Sequence, residues 1–182
     1  MTILWLILLP FVGGLAAWVV ARRSCVAARW VSLVTLGADL ALAIGIWGQS
    51  GNLVAGSTHA PWLLEFRHVW MPSLGIGFVF ALDGLSLLMV VLTLFLGMVS
   101  VAISWTEIRE RVGFFHFNLL WTLAGIIGVF TALDLFLFYF FWELMLIPMF
   151  FLIVIWGHEN RVYAAIKFFL FTQLSSLLML LA

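Results

Sequence analysis

Apolar runs long enough to cross a bilayer alternate along this chain with shorter polar intervals. A hydrocarbon layer of roughly 30 Å needs about 20 helical residues at roughly 1.5 Å each. Runs of that order cover residues 2–20, 30–48, 84–105, 114–132, 134–156 and 164–182. From Phe114 to Trp156 only His116, Asn118, Asp134 and Glu143 strongly interrupt the apolar sequence. One helix cannot use that length, so the stretch divides into two spans with a turn at Thr131–Asp134, and Asp134 caps the second of them. Asp83 stands in the same relation to the span that follows it. The outer loop, 49–82, is mixed and holds His59, Pro61, Glu65, Arg67, His68 and Pro72. It ends in LGIGFVFALDG, where Ile76, Phe78 and Phe80 alternate with other residues, which predicts a short strand or hairpin on the membrane face.

The pattern therefore predicts an all-α, multi-spanning transmembrane helix bundle forming one membrane domain over 1–182. Composition agrees, since 9% charged residues is far below the quarter usual in soluble domains. A net charge of zero and the lack of a Lys/Arg-rich run argue against nucleic acid as a partner; the lipid bilayer is the surroundings to expect. A lone cysteine, Cys25, excludes a thiolate-held iron–sulfur cluster, a paired-cysteine redox site and an internal disulfide. The four histidines include no i, i+4 pair, so no metal site is expected. Neither a nucleotide loop nor a nucleophile with its base is recognisable, and no cofactor is assigned to the chain.

Arginine placement sets an expected orientation. Arg22, Arg23, Arg29, Arg109, Arg111 and Arg161 all fall in alternate intervals, with only Arg67 on the other side, so the amino terminus should face outward. The order of apolar run before basic residues is also the reverse of a secretory signal. Trp5 and Trp47 fall near one interface, and Trp18, Trp30, Trp105 and Trp156 near the other.

Chemistry concentrates on Glu143, placed by its span about 14 Å from Asp134 and about 20 Å from Trp156, near mid-membrane. An acid there costs on the order of 2.5–3.5 kcal/mol on insertion scales unless it is neutral or partnered. Burial favours the protonated acid and a nearby cation favours the carboxylate, so a cation that comes and goes would load and release a proton. Pro148 leaves the Leu144 carbonyl without its helical N–H, a docking point for water beside the acid. Among the helical neighbours of Glu143 only Tyr139 is polar, so a partner must come from another helix. The alternative is a protonated packing acid that ties the bundle together.

Lys167 is the one basic residue inside an apolar run, but it differs from Glu143 in depth by roughly 15 Å, which excludes a direct ion pair. It either snorkels or acts as a relay through water. Asp39 is as deep as Glu143 and must be neutral, hydrated or partnered, as a packing acid or a proton group. His116 and His158 read as interfacial anchors or as feeders of a path. Thr172, Gln173, Ser175 and Ser176 form a polar band that can bond across helices or hold water.

The blocks FFHFNLLWTLAGIIGVF and ALDLFLFYFFWELMLIPMFFLI resemble the fourth and fifth helices of the antiporter-like membrane subunits of respiratory complex I, the NADH-quinone oxidoreductase of bacteria. WLILLPFVGG, ALDGLSLLMVVLT and IKFFLFTQ resemble the same family, so that the resemblance covers nearly the whole chain. It implies a proton-translocating subunit of a multi-pass complex in the bacterial inner membrane, with other membrane subunits as partners. It also implies that this chain has no redox chemistry, and that NADH, flavin, iron–sulfur clusters and quinone belong to other subunits. In that family the glutamate matched by Glu143 pairs with a lysine on a seventh helix, and Lys167 stands where the sixth helix of such a subunit carries a lysine. Asp39 matches no family motif. The missing seventh-helix lysine implies that these 182 residues are part of a longer subunit and would not pump alone. A cation/proton antiporter subunit, a membrane-bound hydrogenase subunit and a structural membrane scaffold are the alternatives.

Overall fold

A computed structural model describes residues 1–56, 62–71 and 76–181; His59, Pro61 and Pro72 lie outside the described residues. Its elements run α1 (Thr2–Ala21), α2 (Cys25–Gly56), β1 (Leu64–Met71), β2 (Ile76–Leu82), α3 (Gly84–Glu107), α4 (Val112–Thr131), α5 (Leu135–Trp156) and α6 (Arg161–Leu181). Among the described residues, six helices are long and apolar enough to cross a membrane. Helix is the form that lets these backbones satisfy every N–H and C=O without water.

Two helices differ in extent from the sequence expectation. α2 begins at Cys25 and runs to Gly56, so residues 49–56 are helix and not loop. Ser24 Oγ accepts the Ala27 N–H at 3.3 Å and starts the helix early. No proline interrupts the run before Pro61, so the helix continues past its apolar part. α6 starts at Arg161, where Ala164 N–H donates to the Asn160 carbonyl at 2.9 Å and closes a first turn ahead of the apolar run.

α4 is the centre of the bundle, packing on α1, α2, α3 and α5. Of the six long apolar helices it is the most buried, and α6 the least. Small residues permit this approach. A Cβ on Gly113 would lie 2.3 Å from Ala21 Cβ, on Gly125 2.8 Å from Met145 Cβ, and on Gly128 2.3 Å from Phe141 Cδ1. The Phe141 ring cannot retreat freely, because it packs edge-on against Phe80 at 5.9 Å. Gly128→Ala should therefore destabilise the bundle by about 1–3 kcal/mol through overpacking. A thermal unfolding midpoint unchanged from wild type would contradict this.

The expected hairpin is present, with β1 and β2 antiparallel in the register Leu64↔Leu82, Phe66↔Phe80 and His68↔Phe78. The α4–α5 turn holds it in place. Leu133 N–H donates to the Val79 carbonyl at 2.9 Å, and Ala132 bridges to Phe80. Asp134 caps α5 by accepting the N–H of Phe136 at 2.8 Å and of Leu137 at 3.3 Å.

Asp83 caps α3, accepting the Ser86 N–H at 2.7 Å. Hydrogen bonding from Ser86, side chain first and backbone N–H next, holds the Asp83 carboxyl below its ordinary range. The cap is thus at full strength above the ordinary carboxyl value near 3.8 and weakens only as pH falls through the lower folded value. Asp83→Ala should cost about 1 kcal/mol at neutral pH, read as a lowered unfolding midpoint, and this loss should vanish in strong acid.

Candidate functional site

Glu143 lies on α5 with its carboxylate turned to α6, where the Ser176 hydroxyl hydrogen-bonds Glu143 Oε1. The cross-helix partner is therefore Ser176, and Tyr139 does not supply it. Ser176 is buried and its hydroxyl also reaches the Gln173 carbonyl at 2.9 Å. A hydroxyl has one hydrogen and can also accept, so this arrangement serves both forms of the acid. When Glu143 is ionised, Ser176 donates to it. When Glu143 is protonated, its O–H donates to Ser176 Oγ and Ser176 donates onward to the Gln173 carbonyl.

The acid also borders a cavity of about 270 Å³ between α5 and α6, lined by Phe140, Glu143, Leu144, Ile147, Phe169 and Gln173. Phe140 and Ile147 are 49% and 53% exposed, so the cavity lies at the flank of the bundle and not in its core. Of the polar band on α6, Gln173 and Ser176 reach this site, whereas Thr172 bonds back to the Phe168 carbonyl at 2.7 Å and Ser175 is exposed.

Lys167 lies about 14 Å of helix before Ser176 and does not reach Glu143. Its ammonium stands over the Tyr163 and Phe171 rings, at 5.8 and 6.0 Å from their centroids. Among the described residues the one ion pair is Arg67–Glu65 at 3.1 Å, on the exposed face of the hairpin. Among the described residues, Glu143 consequently has a hydroxyl partner and no cation.

Asp39 is 0% exposed, and neither carboxylate oxygen has a hydrogen-bond partner among the described residues. Its helix packs on α1, α3 and α4, and α4 packs in turn on α5, the helix of Glu143. One turn earlier, Thr35 fills the space beside Gly13 of α1. Among the described residues, Asp39 therefore makes no polar bond to a neighbouring helix.

His116 is fully buried with both ring nitrogens unpartnered among the described residues, so it is not the interfacial anchor expected; His158 is exposed. Arg29 Nη2 donates to the Ile108 carbonyl at 2.9 Å, and its guanidinium lies 5.5 Å from the Trp105 ring centroid. Sequence position could not reveal these contacts of Arg29, since they join α2 to the end of α3.

The fold defines the class. The Mrp complex from Dietzia sp. DQ12-45-1b superposes with a TM-score of 0.80 at 22% identity, over 99% of this chain and 19% of that one. Respiratory complex I from Thermus thermophilus with bound NADH superposes at 0.77 and 27% identity, over 99% of this chain and 34% of that one. Residues 132–182, which carry Glu143, Lys167 and Ser176, match the family model "NADH:quinone oxidoreductase/Mrp antiporter, TM". Over nearly its whole length the chain is similar to a membrane subunit of NADH-quinone oxidoreductase. It is 51% identical to NADH-quinone oxidoreductase subunit M of Escherichia coli (strain K12), over 98% of this chain and 36% of that protein. The same subunit of Pseudomonas aeruginosa is 50% identical, over 98% and 36%. The chain thus spans about a third of the length of these relatives.

Proposed function

We propose that the chain is part of a longer proton-translocating membrane subunit of the subunit M type, acting in a complex that couples NADH oxidation by quinone to proton transfer across the membrane. Its partners are other membrane subunits of the complex in the bacterial inner membrane, and the NADH, flavin, iron–sulfur and quinone chemistry resides in other subunits of that complex. In this reading the amino terminus and the hairpin face outward, and the arginine-rich loops face the cytoplasm.

One observation carries the proposal: a mid-membrane acid whose hydrogen bonding can be satisfied in both protonation states, on a cavity at the flank of its bundle. Glu143 holds the proton. A cationic side chain arriving at that flank favours the carboxylate and releases the proton, and its withdrawal favours reloading. Lys167, too far for direct contact, acts as a relay toward the arginine-rich end through water.

Infrared difference spectroscopy of the intact complex during NADH turnover tests this. A carboxyl C=O band should appear and disappear with turnover and be absent in Glu143→Gln. A Glu143 side chain that keeps one charge throughout would support the scaffold alternative, in which the Ser176 bond only ties α5 to α6.

A further inference from the structure

We infer that the arginine-rich end of the bundle carries a phospholipid site that takes the phosphate of an anionic lipid on Arg22, Arg109 and Arg111 and its acyl chain in the groove between α4 and α5. A cavity of about 300 Å³ lies where the end of α1 meets the start of α4, and these three arginines line it with Trp18 and Phe114. The close contact of Gly113 with Ala21 brings the two helix ends together and so gathers charges distant in sequence. All three arginines are exposed, and none makes an ion pair among the described residues. Arg22 lies over the Trp18 ring at 5.6 Å. Neither Glu107 nor Glu110 lines the cavity, so the pocket is electropositive without a balancing acid.

A second cavity identifies the ligand as lipid and not a free anion. It is about 260 Å³, almost wholly apolar, and bounded by Phe117, Trp121, Leu144, Pro148 and Phe151. Phe114 lines both cavities, so the charged mouth and the apolar groove adjoin at one side chain. From Phe114 to Trp121 the groove follows about 10 Å of α4 toward mid-membrane, the direction an acyl chain takes below its headgroup. A cationic site at a helix end with an apolar groove running into the bilayer suits a phospholipid, because both halves of the ligand meet their own chemistry. The bound chain would lie against Leu144 and Pro148, and so buttress α5 next to Glu143.

The test uses the intact complex with the full-length subunit, delipidated and then titrated with phosphatidylglycerol or phosphatidylcholine, with bound lipid counted by native mass spectrometry. Wild type should retain one phosphatidylglycerol that the R22Q/R109Q/R111Q variant binds on the order of a hundredfold more weakly. Arg109→Gln alone, in an exposed loop where folding is not at stake, should lose about fivefold. Phe151→Trp, which narrows the groove without touching charge, should weaken retention several-fold. Equal retention by wild type and the arginine variants, or no preference over phosphatidylcholine, would overturn the inference. So would displacement of the lipid by millimolar inorganic phosphate together with an unaffected Phe151→Trp, which would mark a phosphate site only.

Discussion

Glu143→Gln should lower proton transfer through the subunit by roughly two orders of magnitude or more, the range that a positioned proton-transferring side chain contributes. Glutamine matches glutamate in shape and can still accept from Ser176, so the α5–α6 contact survives. It cannot take up or release a proton. The measurement is proton uptake per NADH oxidised in vesicles holding the intact complex, alongside the unfolding midpoint. A lowered proton yield at an unchanged midpoint is expected. Glu143→Asp should recover part of the yield, because it titrates but falls a methylene short of Ser176. A full proton yield in Glu143→Gln would sink the proposal and leave Glu143 as a packing acid.

Asp39→Leu is expected to favour the folded membrane form. On insertion scales, exchanging a mid-helix aspartate for leucine improves membrane insertion by about 3–4 kcal/mol. No bond is lost in the exchange, since neither Asp39 oxygen has a partner among the described residues. Asparagine would be a poorer replacement, because its amide would be buried without partners in turn. The inserted fraction of the second span should rise in a translocon assay, and the unfolding midpoint of the complex with it. Should the midpoint fall, an unseen polar partner holds Asp39. Should the proton yield fall while stability rises, Asp39 is a second proton group whose cost is retained for function.

The membrane spans were legible because backbone satisfaction in lipid leaves helix as the only form for long apolar runs. Both aspartate caps were legible for a similar reason: the need of a helix start for an acceptor is local, and Asp83 and Asp134 meet it within three residues. The hairpin could be read from alternation in its second strand. The length of α2 could not, because residues 49–56 hold two glycines, a serine and an asparagine and have no apolar periodicity to mark a helix.

Glu143 announced itself by cost alone, one acid in an apolar span. Its partner did not. Any of four polar residues on the last helix could have bonded it, and only the packing of α5 on α6 selected Ser176 and placed Gln173 behind it. The same limit applies to His116, drawn into the core by the central position of α4, and to the arginines of the lipid pocket, gathered by the contact of Gly113 with Ala21. By itself the sequence determined what lies in the membrane and which charges are expensive there, because those depend on the solvation of each residue. Tertiary structure alone decided which of those groups meet, because contacts between helices depend on how small residues let their surfaces approach and on rotations that no single helix specifies.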